Sequence, residues 1–389
     1  MSNTSTSFDG TSFDSTSSGS IRPLFGSRSD SRPAGNPPQQ PGADRVQHPA
    51  TGWLNGIRLH ADGVTVDRSG HRETGIRRLP VWAWRALMLR RATPVHKFNL
   101  HPIDSVVYDR DIDYHGDGQK VHRLDVIVPK TTNAVPAPLP VYVYFHGGGW
   151  TSGDKDPLTK YCASQAAEGM IVVNANYRMA TRFHLKHMMH DGNAVLDWVA
   201  RNIAAYGGDP TRIVLGGDSA GGHIAALLTA TTFAPELAAH YDIRPPIAAG
   251  SLRGLVQHCS IADFSVLFDR GFVLSLNFVR MLLPERGRGL HLRAAARFMS
   301  PIEWLDRGFP PVFVTTSERD YFYRANLNFI EALRKRAIWV DSLIYGRRSV
   351  NTKHTWQQDD THPESQEVYR RLGAFVRAVA PRTVAPAVA

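Results

Sequence analysis

Ser219 stands inside the run LGGDSAGGH at positions 215–223, one hydroxyl among four glycines. A glycine inside a helix or strand costs roughly 0.5–1 kcal/mol relative to alanine, so the run points to backbone that side chains would obstruct. RIVLG before it has strand composition and HIAALLTA after it has helical periodicity. Gly217, Ser219 and Gly221 therefore give G-x-S-x-G at a strand–turn–helix junction, a bend sharp enough to leave the serine oxygen exposed. A Cβ at 217 or 221 would strike the neighbouring strand or helix. The amide dipoles of the helix that starts there favour negative charge nearby. The competing reading is a tight glycine loop with an incidental serine.

A serine hydroxyl is a weak nucleophile until a base takes its proton, and an oxyanion formed by its attack needs donors already in place. The run YFHGGGW at 144–150 follows an apolar strand-like stretch. The backbone N–H groups of Gly147 and Gly148 have no side chain in front of them, and the amide of Ala220 adjoins the serine. These three are the expected oxyanion donors. A glycine turn after a strand can also cradle phosphate, but the sequence contains no GxxxxGK[ST] pattern.

The elements that must position these groups are legible from residue 101 onward. β-rich runs occur at 103–112, 121–129, 140–145, 170–177, 212–216, 252–258, 310–316 and 338–345. Stretches of helical period lie between the later ones, at 190–207, 221–233 and 324–337, and another closes the chain at 364–380. Strands alternating with helices predict an α/β fold with a mostly parallel sheet of about eight strands and helices on both faces. The apolar runs VYVYF and VFV read as central strands covered on both sides. Residues 260–300 break the alternation and read as two or three helical pieces, a lid insertion above the sheet.

HGGGW at 146–150, NANYRMA at 174–180, YGGDP at 206–210 and GDSAGG at 217–222 occur in this order. Over residues 103–380 the chain resembles the hormone-sensitive-lipase-like branch of the α/β-hydrolase esterases. The resemblance implies hydrolysis of carboxylic esters, of short-to-medium acyl chains, through an acyl-enzyme, with a small-molecule ester as partner and with neither cofactor nor metal. In that fold the chain order is serine, acid, histidine, which places the acid at Asp320, shortly after PPVFVTT, and the histidine at His354, after IWVDSLIYG. Glu318 and His362 are the rival acid and histidine. Three departures stand out: His354-Thr355-Trp356 occupies the place of His-Gly-Phe, the loop GRRSVNTK at 346–353 is longer and more basic than usual, and Ala180-Thr181-Arg182 occupies the place of Ala-Pro-Glu. Two other readings share or lose this machinery, namely an amide or formamide hydrolase and a non-catalytic small-molecule receptor.

Composition narrows the setting. The chain has 389 residues, 42% of them hydrophobic, and two cysteines, Cys162 and Cys259. Two distant cysteines make neither a disulfide framework nor a metal pair, so reduced thiols and a cytoplasmic location are expected. No apolar run is long enough to span a membrane, and the N-terminus has no secretory h-region. Residues 1–50, rich in Ser, Pro and Gly, read as a disordered tail, and 51–100 as a helical cap segment with an amphipathic helix at 80–92.

The net charge of +10 concentrates in 51–100, where eight arginines and one lysine face Asp62, Asp67 and Glu73. No nucleic-acid-binding motif accompanies it, so nucleic acid is not expected as a partner. Arginines 280, 286, 288, 293 and 297 make the insertion basic, which suits a solvated face or, as the rarer reading, weak contact with acidic lipid. The histidines of HLKHMMH, at 184, 187 and 190, spread around a helix and make a poor chelating face. The oligomeric state is not encoded in any motif.

Overall fold

The run Leu139–Phe145 is buried at every position, and this strand, β3, is the axis of the fold. Side chains alternate across a strand. Val141, Val143 and Phe145 enter one core, and Tyr142 and Tyr144 enter the other on the opposite face. The computed structural model describes residues 102–130, 138–269, 276–283 and 292–381, with Arg58–Leu59, Thr65–Val66, Ala83 and Ala86. The tail at 1–50 and nearly all of the 51–100 segment lie outside the described residues. So does the 80–92 helix, apart from Ala83 and Ala86, which are helical.

All eight sequence-expected strands form: β1 (Val106–Asp113), β2 (Arg123–Pro129), β3, β4 (Ile171–Ala175), β5 (Gly208–Asp218), β6 (Leu252–His258), β7 (Val312–Ser317) and β8 (Val340–Tyr345). They make one sheet in the order β8-β7-β6-β5-β3-β4-β2-β1. The pairs from β8 to β4 are parallel, and β2 runs antiparallel to both β4 and β1. From β3 the chain steps outward to β4, then crosses back to β5 on the other side. The connections leaving β3 and β5 therefore diverge, and a crevice opens at the carboxyl ends of these two strands, the usual ligand position in open α/β sheets.

Helices cover both faces. α1 (Thr159–Ala167) and α8 (Pro363–Val379) supply Tyr161, Cys162, Leu372 and Phe375 to the core around Tyr142 and Tyr144. α2 (Leu185–Asn202), α3 (Ser219–Phe233) and α7 (Tyr323–Lys335) supply Val195, Ile224, Leu227 and Phe329 to the other. α3 is buried all round from Ile224 to Leu228, as its apolar sequence requires. α4 (Pro235–Tyr241) follows it. Between β6 and β7 the described residues form a 3₁₀ turn at Phe264–Phe268 and the short helices α5 (Leu276–Leu282) and α6 (Leu292–Phe298).

The long connection after β3 is anchored through a buried cation. Lys155 Nζ lies 2.8 Å from Asp125 on β2, 2.8 Å from Asp111 on β1 and 2.9 Å from Asp156. Burial pushes the Asp125 pKa up, although Lys155 and the Asp111 amide oppose it. Removing one partner of a buried pair costs about 3–5 kcal/mol, because a charge is left uncompensated. Lys155→Met is expected to destabilise the protein by that amount in urea denaturation. Without the Lys155 ammonium, which holds the Asp125 pKa down, burial raises it further. An acid whose folded pKa is raised loses stability as the pH rises through it, so the variant's deficit is larger at pH 8 than at pH 5. A variant as stable as wild type at pH 8 would contradict the pairing.

Candidate active site

β5 passes into α3 at Ser219, whose φ is 50°. L-residues other than Gly, Asn and Asp seldom adopt that region, so the surrounding packing must hold it. An ideal Cβ at Gly221 would lie 2.0 Å from the Phe145 carbonyl oxygen, and one at Gly217 would lie 2.5 Å from that oxygen and from the Gly221 carbonyl carbon. The steric expectation for both glycines holds.

His354, on the connection after β8, reaches across to this bend. Its Nε2 is 3.0 Å from Ser219 Oγ and its Nδ1 is 2.7 Å from Asp320 Oδ1. Asp320 sits just past β7 with its side chain fully buried. It accepts further hydrogen bonds from Thr316 Oγ1 at 2.8 Å and from the Phe322 amide at 3.2 Å. The rings of Tyr321 and Phe322 lie 5.0 and 5.6 Å from that of His354. The structure thus brings Ser219, His354 and Asp320 together. It does not bring in Glu318, which accepts from the Arg347 amide at 2.9 Å. His362 lies 3.6 Å from Asp359.

Thr355, which stands where the resembled branch has glycine, has φ 59° and ψ 35°. Threonine is there under backbone strain. Its hydroxyl donates to the His354 carbonyl at 2.7 Å, and the next turn begins with buried Trp356.

One expected donor is corrected. The Gly147 amide already donates to Asp218 Oδ1, at 3.0 Å. The amides of Gly148 and Gly149, at φ 132° and 59°, donate to no acceptor among the described residues. A Cβ at Gly148 would lie 1.8 Å from the Ser152 carbonyl oxygen. Ala220 is in the first turn of α3, where amides have no intrahelical acceptor.

Asp218 is the group that sequence reasoning missed. It is 1% exposed, and burial raises its pKa against the hydrogen bond from Tyr144. Tyr144 Oη donates to Oδ1 at 2.6 Å, and Gln358 Nε2 donates to Oδ2 at 3.0 Å. One carboxylate thereby ties β3, the glycine loop and the His354 loop to the serine bend. Cys259 is equally buried, and burial, reinforced by the Asp320 charge, pushes its thiol well above the usual range.

The surroundings lean on the 260–300 region. Trp150 Nε1 donates to His223 Nδ1 at 3.1 Å, and His223 Nε2 donates to the Met299 carbonyl at 2.6 Å. Burial pushes the His223 pKa down to about 4, which keeps the ring neutral. The rings of Phe264 and Phe278 lie 5.8 and 6.2 Å from that of Trp150. Arg297 pairs with Glu236 and lies over Trp304. Of the histidines of HLKHMMH, His184 and His187 form the N-terminal capping box of α2, and His190 bonds to the Tyr241 carbonyl at 2.8 Å.

The alpha/beta hydrolase fold family matches residues 142–348, just over half of the chain. The chain belongs to that family. Among curated proteins it is similar to carboxylesterase NlhH of Mycobacterium tuberculosis (strain ATCC 25618 / H37Rv), 44% identical over 208 residues, covering 52% of this chain and 63% of the relative. It is also similar to lipase 2 of Moraxella sp. (strain TA144), 39% identical over 222 residues and covering 51% of each. The chain therefore spans less than two thirds of either relative's length. These likenesses place it in the hormone-sensitive-lipase-like branch of the α/β-hydrolases. Among solved structures, esterase B from Lactobacillus rhamnosis (HN001) superposes with a TM-score of 0.68 at 20% identity, covering 77% of this chain and 95% of that one, which establishes a shared fold.

The branch's His-Gly sequence finds its reason in the left-handed backbone at Thr355. Thr355→Gly removes strain of about 1–2 kcal/mol, partly offset by the freer unfolded chain. It is expected to raise the thermal midpoint, with a net gain of about 0.5–1 kcal/mol. A lowered midpoint would contradict the strain.

Proposed function

We propose that this protein hydrolyses carboxylic esters of short-to-medium acyl chain through an acyl-enzyme on Ser219. The observation that carries the reading is His354 bridging Ser219 Oγ at 3.0 Å and Asp320 Oδ1 at 2.7 Å. That chain of contacts makes a hydroxyl nucleophilic. The carboxylesterase and lipase names of the similar curated proteins support it.

In this reading, Asp320 accepts the Nδ1–H of His354, which leaves Nε2 as the base. As Ser219 Oγ attacks the ester carbonyl carbon, its proton passes to Nε2. The carbonyl π electrons move onto oxygen, and the amides of Gly148, Gly149 and Ala220 receive the oxyanion. Collapse breaks the carbon–alkoxy bond, and His354 returns the proton to the departing alcohol. Water then repeats the sequence: His354 takes its proton, its oxygen attacks the acyl carbon, and Ser219 leaves reprotonated with release of the acid. Asp320 stays ionised throughout and stabilises the transient imidazolium. Asp218 holds the glycine loop and the His354 loop in register without touching the substrate. The two cysteines, both buried and free, support a reducing setting.

Steady-state hydrolysis of p-nitrophenyl acetate, butyrate, octanoate and palmitate by wild type, Ser219→Ala and His354→Ala tests the reading. Wild type is expected to prefer the shorter chains, and each variant to lose about 10³-fold or more in kcat. Full activity in Ser219→Ala would overturn the assignment of the nucleophile. Faster turnover of the matching p-nitroanilides than of the esters would transfer the same machinery to amides.

A further inference from the structure

A second constellation lies outside the ester site, where the β1–β2 connection folds against α2. The connection is held by its own acids. Asp113 accepts from the amides of His115, Gly116 and Gly118 at 3.1, 2.7 and 2.7 Å, and Asp117 accepts from the Gln119 amide and side chain at 3.0 and 2.8 Å. This conformation turns the rings of His115 and His122 toward each other, 4.4 Å apart. Both face Asp191 on α2, which is completely buried.

His122 is the informative member. It is 3% exposed, and its Nδ1 lies 2.6 Å from Asp117 Oδ2. Its other nitrogen, Nε2, is buried and has no hydrogen-bond partner among the described residues. It points at Asp191 Oδ1 from 3.6 Å, too far for a hydrogen bond. His115 Nε2 stands 4.0 Å from the same oxygen, and the three ligand-type atoms all lie within 4.8 Å of one another. Arg178 also holds Asp191, its amide 2.8 Å from Oδ2 and its guanidinium nitrogens within 3.0 Å of both oxygens, Oδ1 included.

We propose that His115 Nε2, His122 Nε2 and Asp191 Oδ1 bind one divalent transition-metal cation, zinc being the best chemical match. Two imidazoles and a carboxylate form a recurrent three-ligand set for zinc, with one position left for water. Bonds of about 2.0–2.1 Å in a tetrahedron need donors about 3.3–3.5 Å apart, so closing the site requires shifts of tenths of an ångström up to about one. Asp117 completes it. A carboxylate that accepts the far N–H of a ligating histidine fixes the tautomer and directs the lone pair of Nε2 toward the metal. His115 is partly exposed, which gives the ion a way in.

The site also has a place in the architecture. Asp191 holds Arg178, the neighbouring Tyr177 donates to the His146 carbonyl at 2.7 Å, and the Tyr177 and His146 rings stack at 4.5 Å. A bound ion would therefore pin the β1–β2 connection to the support of the glycine loop.

The competing account is an imidazolium at His122 caged by Asp117 and Asp191. Calorimetric titration of the metal-free full-length protein with ZnCl₂, in a His354→Ala background, decides between them. That background removes the other group of ligand-type atoms among the described residues, at Cys259, Asp320 and His354. One equivalent is expected to bind. Adding His115→Ala should weaken binding at least tenfold, and adding Asp117→Asn by about 10–100-fold. Co²⁺ should give ligand-field absorption that His115→Ala abolishes. Because His115 is at the surface, that variant is expected to keep the fold, checked by its unchanged thermal midpoint without metal. No binding, or an affinity and spectrum indifferent to both His115→Ala and His122→Ala, would overturn the site.

Discussion

Everything at the Ser219 site depends on how closely the bend after β5 approaches the end of β3. The carbonyl oxygens of Phe145 and His146 press on the first turn of α3, so near that Gly217 and Gly221 admit no methyl group. That crowding holds Ser219 at φ 50°, a conformation it would leave in an unconstrained chain. The strain is local, and the cores on both faces of the sheet are what sustain it. The same proximity places the loop after β3 and the first amides of α3 on one side of the serine oxygen. In the proposed reaction that is where negative charge develops.

Asp218 converts this proximity into registry. Its carboxylate holds Tyr144, the Gly147 amide and Gln358, which belong to three separate segments. A buried acid is costly unless its oxygens are hydrogen-bonded, so each of the three segments is drawn to the same point. The Gly147 amide is taken up by this bond, whereas the amides of the next two glycines donate to no acceptor among the described residues. Asp320 is fixed in the same manner by Thr316 and the Phe322 amide, and the Ser317 hydroxyl links the end of β7 to the Thr352 carbonyl beside His354. Each polar group that would react is oriented by another that would not.

The sheet was legible because its signals are local. VYVYF and VFV are apolar without interruption, as doubly covered strands must be, and the glycines at 217 and 221 report a contact that any side chain would break. Element ends were less so. α2 starts at Leu185, ahead of the expected 190, because His184 caps it, and histidine is a weak cap signal. The choice among Gly147, Gly148 and Gly149 was beyond the sequence, since three identical neighbours differ only in which acceptor each amide meets. Asp218 was hidden by its place in the serine motif, where it reads as part of the turn. His115, His122 and Asp191 come from a loop and a helix far apart in the chain, and only the antiparallel return of β2 against β4 brings them together. Thr355 shows the reverse case, a departure from the family pattern whose reason is a single backbone angle.

Covalent capture of the serine tests the central claim most directly. Wild-type protein treated with a fluorophosphonate should gain the mass of one phosphonyl group, located by peptide mapping on Ser219, and His354→Ala should form the adduct far more slowly. Labelling on another residue, no labelling at all, or equal rates with and without the imidazole would contradict a serine activated at this bend.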